Sequence, residues 1–186
     1  EILYKVSILQ VFGDTNIDIK NLVFDSRKVQ KEDIFIAQKG ASIDGHLYID
    51  KAVSLGACVI VCQDLPASKN KTVSYIQVND TNIALAIMAS NFYNNPSTKF
   101  PLVGVTGTNG KTTIASLLYQ LFKKAGYKVG LLSTVKIIVD DTEFKATHTT
   151  PDSISINSYL NKMIDNGVDY CFMEVSSHGI HQKRTA

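Results

Sequence analysis

Between residues 103 and 113 the chain reads Val-Gly-Val-Thr-Gly-Thr-Asn-Gly-Lys-Thr-Thr, and no other stretch limits the possible folds so tightly. Phe100 to Val105 is an apolar run that predicts a short buried strand. Thr106 to Gly110 is turn-forming, and Ile114 to Phe122 carries an apolar helical face. Strand, glycine turn and helix start in that order form a phosphate-binding loop. Gly107 and Gly110 let backbone N–H groups converge, and the helix adds the positive end of its dipole. Thr108 and Asn109 complete the loop, and Lys111 brings a mobile charge to the terminal phosphates. Thr112 offers a hydroxyl to a phosphate-bound Mg²⁺, and Thr113 lines the same turn. The generic pattern has a glycine five positions before Gly110; here that position is Val105, and the chain offers Gly104 and Gly107 instead.

The remaining residues describe an ordinary α/β protein. With 186 residues, 45% of them apolar, there is room for one or two domains with real cores. A net charge of +2, without a basic stripe, argues against nucleic acid as partner. No apolar run reaches the roughly twenty residues that span a bilayer, and the N-terminus has no signal-peptide pattern. Cys58, Cys62 and Cys171 do not make a paired set. Cys58 and Cys62 are expected on one face of a buried strand as structural thiols, and reduced thiols fit a cytoplasmic protein.

The periodicity changes along two halves. In the first, Leu22–Phe24, Ile34–Ile36, Val59–Cys62 and Tyr75–Val78 predict strands, and His46–Leu55 and Thr81–Tyr93 predict helices. The polar, proline-bearing stretch 94–99 reads as a linker, giving expected domains 1–96 and 97–186. In the second half, helix 112–125 stops at Gly126, Lys128–Leu132 and Lys136–Val139 are strands, and Phe144–Pro151 is a polar loop. Helix 153–165 closes at Asn166-Gly167, and Tyr170–Val175 is a buried strand. The fold class is α/β, a small first domain followed by a mostly parallel phosphate-loop sheet. A doubly wound nucleotide domain usually has more strands, so the chain is expected to be part of a longer protein.

Four ordered segments resemble the ATP-dependent Mur ligases of peptidoglycan synthesis. They are Thr-Gly-Thr-Asn-Gly-Lys-Thr-Thr (106–113), His-Thr-Thr-Pro-Asp (148–152), Met-Glu-Val-Ser-Ser-His-Gly-Ile-His-Gln-Lys-Arg (173–184), and a first-half set. That set is Asp-Ser-Arg-Lys-Val (25–29), Asp-Ile-Phe-Ile-Ala-Gln-Lys-Gly (33–40) and Asp-Gly-His (44–46). The resemblance implies a first domain that holds the UDP part of the substrate and a central domain that binds ATP and Mg²⁺. It implies ATP-binding roles for Gly107 to Thr113, catalytic roles for Lys111 and Glu174, and a metal held by Thr112 and Glu174. Contacts to a UDP-N-acetylmuramoyl dipeptide are implied for Thr149, Thr150, Ser176, Gln182 and Arg184. For the uridine end they are implied for Phe24, Ser26 and the turn Ala41-Ser42-Ile43. His178 and His181 are expected to be structural rather than ligands, and Asp25 and Arg27 are equally suited to a local ion pair.

Within the family, the Thr-Thr-Pro and Glu-Val-Ser-Ser-His segments point to the branch that adds the third stem-peptide residue through an acyl phosphate. The added amino acid is expected to be meso-diaminopimelate only because that is the commoner bacterial choice. The alternatives are the branch adding the terminal D-Ala-D-Ala dipeptide, folylpolyglutamate synthetase, an unrelated phosphate-loop NTPase, and a module that only binds a UDP-sugar. The dipeptide branch more typically has Ser at the position of Asn109, and the synthetase would leave the Asp-Ser-Arg region unexplained. Oligomeric state is not specified by these residues.

Overall fold

A computed structural model describes residues 1–40, 43–146 and 148–185. Contacts divide the chain into two compact units, Leu3–Ile87 and Met88–Ala186, the second also including Glu1–Ile2.

The first unit is built on a five-stranded sheet: β1 (Ile8–Phe12), β2 (Leu22–Val23), β3 (Ile34–Ile36), β4 (Val59–Cys62) and β5 (Ser74–Val78), in the order β1-β5-β4-β3-β2. Strands β2 to β5 pair in parallel, and β1 runs antiparallel to β5 with an irregularity between Ile8 and Gln10. Every residue of β3 and β4 is buried, as their unbroken apolar runs require of strands covered on both faces. The segment expected as one helix from His46 divides into a 3₁₀ turn, Gly45–Tyr48, and helix α1, Ile49–Ser54. Ile49 and Ala52 of α1 pack with Phe35 and Ile60. Helix α2 spans Thr81–Phe92, and the division between the units falls inside it. Cys62 is buried in β4. Cys58 stands one residue ahead of that strand, where its thiol donates to the Asp33 carbonyl (3.5 Å). Burial pushes both thiols up, Cys62 to about 11.

The polar stretch after α2 holds Asn94 and Asn95 in the left-handed region and a 3₁₀ turn at Pro96–Thr98. The second sheet contains β6 (Leu102–Val105), β7 (Val129–Leu132), β8 (Lys136–Val139), β9 (Thr142–Lys145) and β10 (Tyr170–Glu174), ordered β6-β10-β7-β8-β9. Strands β6, β10 and β7 are parallel, whereas β8 and β9 form an antiparallel hairpin beside them. Helices α3 (Lys111–Lys124) and α4 (Ser153–Asp165) belong to the same unit, and a short α5 (Ser177–His181) follows β10. Alternation along the strands assigns the two faces. Val129, Leu131 and Phe172 pack with Ala115 of α3, while Leu132, Cys171 and Met173 pack with Ile156, Leu160 and Met163 of α4.

Two expectations change here. Strand β6 is not buried: Val103 and Gly104 are exposed, because β6 lies at the sheet edge with a neighbour on one side only. The stretch from Phe144 is not all loop, since Phe144 and Lys145 belong to β9, which pairs with β8 across Asp140 and Asp141. Asp140 takes a positive φ of 53° in that turn, a conformation Asp tolerates better than most residues.

Candidate functional site

The parallel strands β6, β10 and β7 deliver their C-terminal ends to one edge of the second sheet, the usual ligand crevice of an open α/β sheet. The loop Thr106–Gly110 leaves β6 there and opens α3. Gly107 and Gly110 have φ of +147° and +80°, and Gly110, the N-cap, needs a left-handed conformation costly for any residue with a Cβ. Among the described residues, the N–H groups of Gly107, Thr108, Asn109, Gly110 and Lys111 donate to no acceptor. These solvent-facing donors sit at the positive end of a fourteen-residue helix. The Lys111 ammonium folds back over the loop, donating to the carbonyls of Gly107 (2.7 Å) and Thr108 (3.4 Å). Thr113 is exposed on the first turn of α3.

Glu174 ends β10 fully buried, which a carboxylate tolerates only when its oxygens are well supplied with donors. Thr112 Oγ1 donates to Oε2 (2.9 Å). Thr134, just beyond β7, donates its N–H to Oε1 (2.8 Å) and its hydroxyl to Oε2 (3.1 Å). The structure therefore brings Lys111, Thr112 and Glu174 to one edge and adds Thr134, which sequence reasoning did not single out. The signal for Thr134 was positional, the second of two hydroxyl residues, Ser133 and Thr134, that follow a strand parallel to that of Glu174.

A Mg²⁺ at this edge is compatible with the donor set. Among the described residues no group of three or more His, Cys, Asp or Glu side chains could hold a metal. A lone carboxylate beside a hydroxyl suits a Mg²⁺ whose other ligands are phosphate oxygens and water. Burial pushes the thiol of Cys171, within β10, strongly up, so it offers no thiolate.

The Thr-Thr-Pro segment and the strand–helix turn after Glu174 meet. Thr150 is buried, its hydroxyl donating to the Glu174 carbonyl (3.0 Å) and accepting the Ser176 N–H (2.9 Å). Ser176 caps α5 by accepting the Gly179 N–H (3.0 Å). Arg184 donates from Nε (2.9 Å) and Nη2 (2.6 Å) to Gln182 Oε1, and from Nη1 to the Thr150 carbonyl. Thr149 is half-buried beside this cluster in sequence, and His178 and His181 are exposed on α5.

The first unit holds a cavity of about 450 Å³ lined by Phe24, Ser26, Phe35, Gln38, Ile43, Tyr48 and Lys51, among others. Three expected uridine contacts, Phe24, Ser26 and Ile43, thus share one cavity, while Ala41 and Ser42 lie outside the described residues. Asp25 and Arg27 form a two-pronged pair on its wall, Arg27 Nε to Oδ1 (2.9 Å) and Nη2 to Oδ2 (2.8 Å). The Arg27 guanidinium holds the Asp25 carboxyl down to about 2. A carboxylate lowered on folding stabilises the fold above its unfolded value of about 3.9, and that contribution disappears as pH falls toward about 2. Arg27→Ala should therefore raise the Asp25 carboxyl midpoint from about 2 toward, but not fully to, about 3.9 in a side-chain carbon NMR titration, since the residue 27 N–H still donates to Oδ1. By the same linkage, neutral-pH stability should fall, modestly because water screens the exposed Arg27, while stability near pH 2 stays unchanged.

Comparison with known proteins gives the family. The Mur ligase family catalytic-domain model matches residues 18–93, and the Mur ligase middle-domain model matches 105–186. The UDP-N-acetylmuramoyl-L-alanyl-D-glutamate–2,6-diaminopimelate ligase of Cytophaga hutchinsonii is 52% identical over 100% of this chain and 38% of its own length. The ligase of the same name from Clostridium tetani is 44% identical over 99% of the chain and 38% of its own. A solved structure of a ligase of that name superposes with a TM-score of 0.73 at 24% identity, covering 89% of this chain and 34% of the other. The MurF ligase of Thermotoga maritima, solved with ADP, gives 0.57 at 25% identity, over 85% of this chain and 32% of its own. Among the described residues no helix is long and apolar enough to cross a membrane. This chain spans 38% of the length of those two curated relatives, and, with both family models in chain order over the two units, it belongs to the Mur ligase family.

Proposed function

We propose that this chain supplies the uridine-nucleotide pocket and the phosphate-binding edge of an ATP-dependent amide ligase. The ligase joins 2,6-diaminopimelate to UDP-N-acetylmuramoyl-L-Ala-D-Glu during peptidoglycan precursor synthesis. The observation that carries the reading is the convergence of Lys111, Thr112 and Glu174 beside the open N–H groups at the start of α3. The names borne by relatives 44% to 52% identical support the choice of acceptor and of diaminopimelate.

In this reading the γ-phosphoryl group of ATP passes to a free carboxylate of the D-glutamyl residue, and ADP leaves. The amine of diaminopimelate then attacks the acyl carbon, phosphate departs with the bonding electrons, and the nitrogen loses a proton as the amide forms. The obstacle is the approach of a carboxylate to a polyanion. Lys111 exchanges its loop carbonyls for phosphate oxygens, and the N–H groups of Gly107 to Lys111 hold the polyphosphate. Thr112 and Glu174 would hold Mg²⁺, which supplies neutralisation of the developing phosphoryl charge. Thr149, Ser176, Gln182 and Arg184 orient the muramoyl dipeptide, and the cavity around Phe24, Ser26 and Ile43 takes the uridine. Free thiols at Cys58, Cys62 and Cys171 and the need for ATP favour a cytoplasmic setting.

Calorimetric titration with UDP-N-acetylmuramoyl-L-Ala-D-Glu is the test. Saturable binding is expected, weakened about tenfold by Ser26→Ala and by Arg184→Ala, the loss of one or two hydrogen bonds each. Binding of Mg²⁺ and ATP with no binding of any UDP compound would sink the uridine assignment.

A further inference from the structure

The motif Asp44-Gly45-His46 is not accounted for by the reaction itself, yet it is among the most tightly tied segments of the first unit. His46 has a side chain only 11% exposed. Its Nε2 faces the backbone N–H groups of Gln63 (2.9 Å) and Asp64 (3.3 Å), just beyond β4, and so must accept. A neutral imidazole that accepts at Nε2 carries its hydrogen on Nδ1, and that nitrogen lies 2.6 Å from Asp44 Oδ1. The same carboxylate oxygen accepts the His46 N–H (2.9 Å) and starts the 3₁₀ turn. On the other side, the Gly45 N–H donates to the Gln38 carbonyl (2.8 Å). A Cβ on Gly45 would stand 2.7 Å from that oxygen, so only glycine fits the approach.

The segment is thus fixed between the end of β3 and the end of β4, and it carries Gly40, Ile43, Gly45 and Tyr48 onto the cavity wall. We propose that His46 is a positioning residue of the uridine pocket, a fixed-tautomer tie that holds this wall in its binding geometry. The proposal rests on the uridine reading given above and adds a residue to it that never touches the nucleotide. Distance from the ligand is what makes the tie separable from direct contact: His46 does not line the cavity, but its two hydrogen-bonding nitrogens decide where the wall stands.

The test uses UDP-N-acetylglucosamine as probe, since its diphosphate does not titrate near neutral pH, with calorimetry on the wild type and three variants. His46→Phe keeps a planar ring without either hydrogen bond. His46→Asn keeps a donor near Asp44 but cannot reach Gln63. His46→Gln places an amide oxygen where it can accept the Gln63 N–H. The expected result is a rise in Kd of about tenfold for Phe and Asn and of less than about threefold for Gln. Amide exchange at Gln63 and Asp64 should speed up in the first two and not in the third, and Mg²⁺–ADP affinity, read on the second unit, should stay unchanged in all three. Phe or Asn variants that bind the probe as the wild type does would overturn the proposal, as would a Gln variant no better than Phe. Absence of any probe binding by the wild type would instead overturn the uridine reading, and the proposal with it.

Discussion

Replacing Lys111 with alanine is expected to raise the Kd for Mg²⁺–ATP by about 30- to 150-fold, the loss of about 2–3 kcal/mol from a charged hydrogen-bond donor to phosphate. The fold should be almost indifferent to the change. Among the described residues the Lys111 ammonium donates to the carbonyls of Gly107 and Thr108 alone, and both residues are exposed, so water can replace it there. Phosphate oxygens arriving at the loop still find the N–H groups from Gly107 onward and the helix terminus, which is why binding should be weakened rather than abolished. Lys111→Arg should recover little. A guanidinium is broader than an ammonium and cannot occupy the same point between the loop and the terminal phosphate. Isothermal titration together with a thermal melt separates the two effects. A variant that binds Mg²⁺–ATP normally would show that the loop does not cradle the polyphosphate.

The sequence made the phosphate loop legible because its demands are local. A left-handed Gly110, a strand before it and an amphipathic helix after it are all written within about twenty residues of each other. Helix α4 was equally plain, since Asp152 caps it through the Ser155 N–H and Asn166-Gly167 ends it, and the expected span 153–165 is the one observed. Strands β3 and β4 were readable from unbroken apolar runs, the pattern of a sheet covered on both faces. What was hidden lacks that pattern. Strand β9 has Phe144 as its one apolar residue and does not announce itself by hydrophobicity, whereas β1 is apolar apart from Gln10 yet mostly exposed, so its place is decided by pairing with β5 rather than by a buried run. The site followed the same division. Lys111, Thr112 and Glu174 were singled out as candidates from their motifs. Thr134 lies 40 positions from Glu174 and is joined to it only by the side-by-side placement of β7 and β10, a nonlocal fact. Gln38, Tyr48 and Lys51 likewise reach the cavity of the first unit through the folding of the chain around β3 and α1, and not through any spacing visible in the sequence.

Glu174 offers the second large effect, and two substitutions divide its roles. Glu174→Ala removes the acceptor for the Thr134 N–H and for the hydroxyls of Thr112 and Thr134, and leaves a hole at a site with no solvent exposure. The lost packing of a fully buried side chain and the loss of three hydrogen bonds together should cost about 2–4 kcal/mol of stability, read as a lowered denaturant midpoint with an unchanged slope. Glu174→Gln keeps the shape. Its amide oxygen can accept the Thr134 N–H, and its NH₂ can donate to the two hydroxyls, which rotate to accept, so the stability change should stay within about 1 kcal/mol. The charge is nevertheless gone. If Glu174 serves the metal, the tightening of ATP binding by Mg²⁺ should shrink by about tenfold in the Gln variant, while metal-free ATP binds as well or better, because a negative charge has left the phosphate edge. A Gln variant that keeps its full Mg²⁺ dependence would make Glu174 a purely structural carboxylate, one whose task is to hold Thr112 and Thr134 at the ends of α3 and β7.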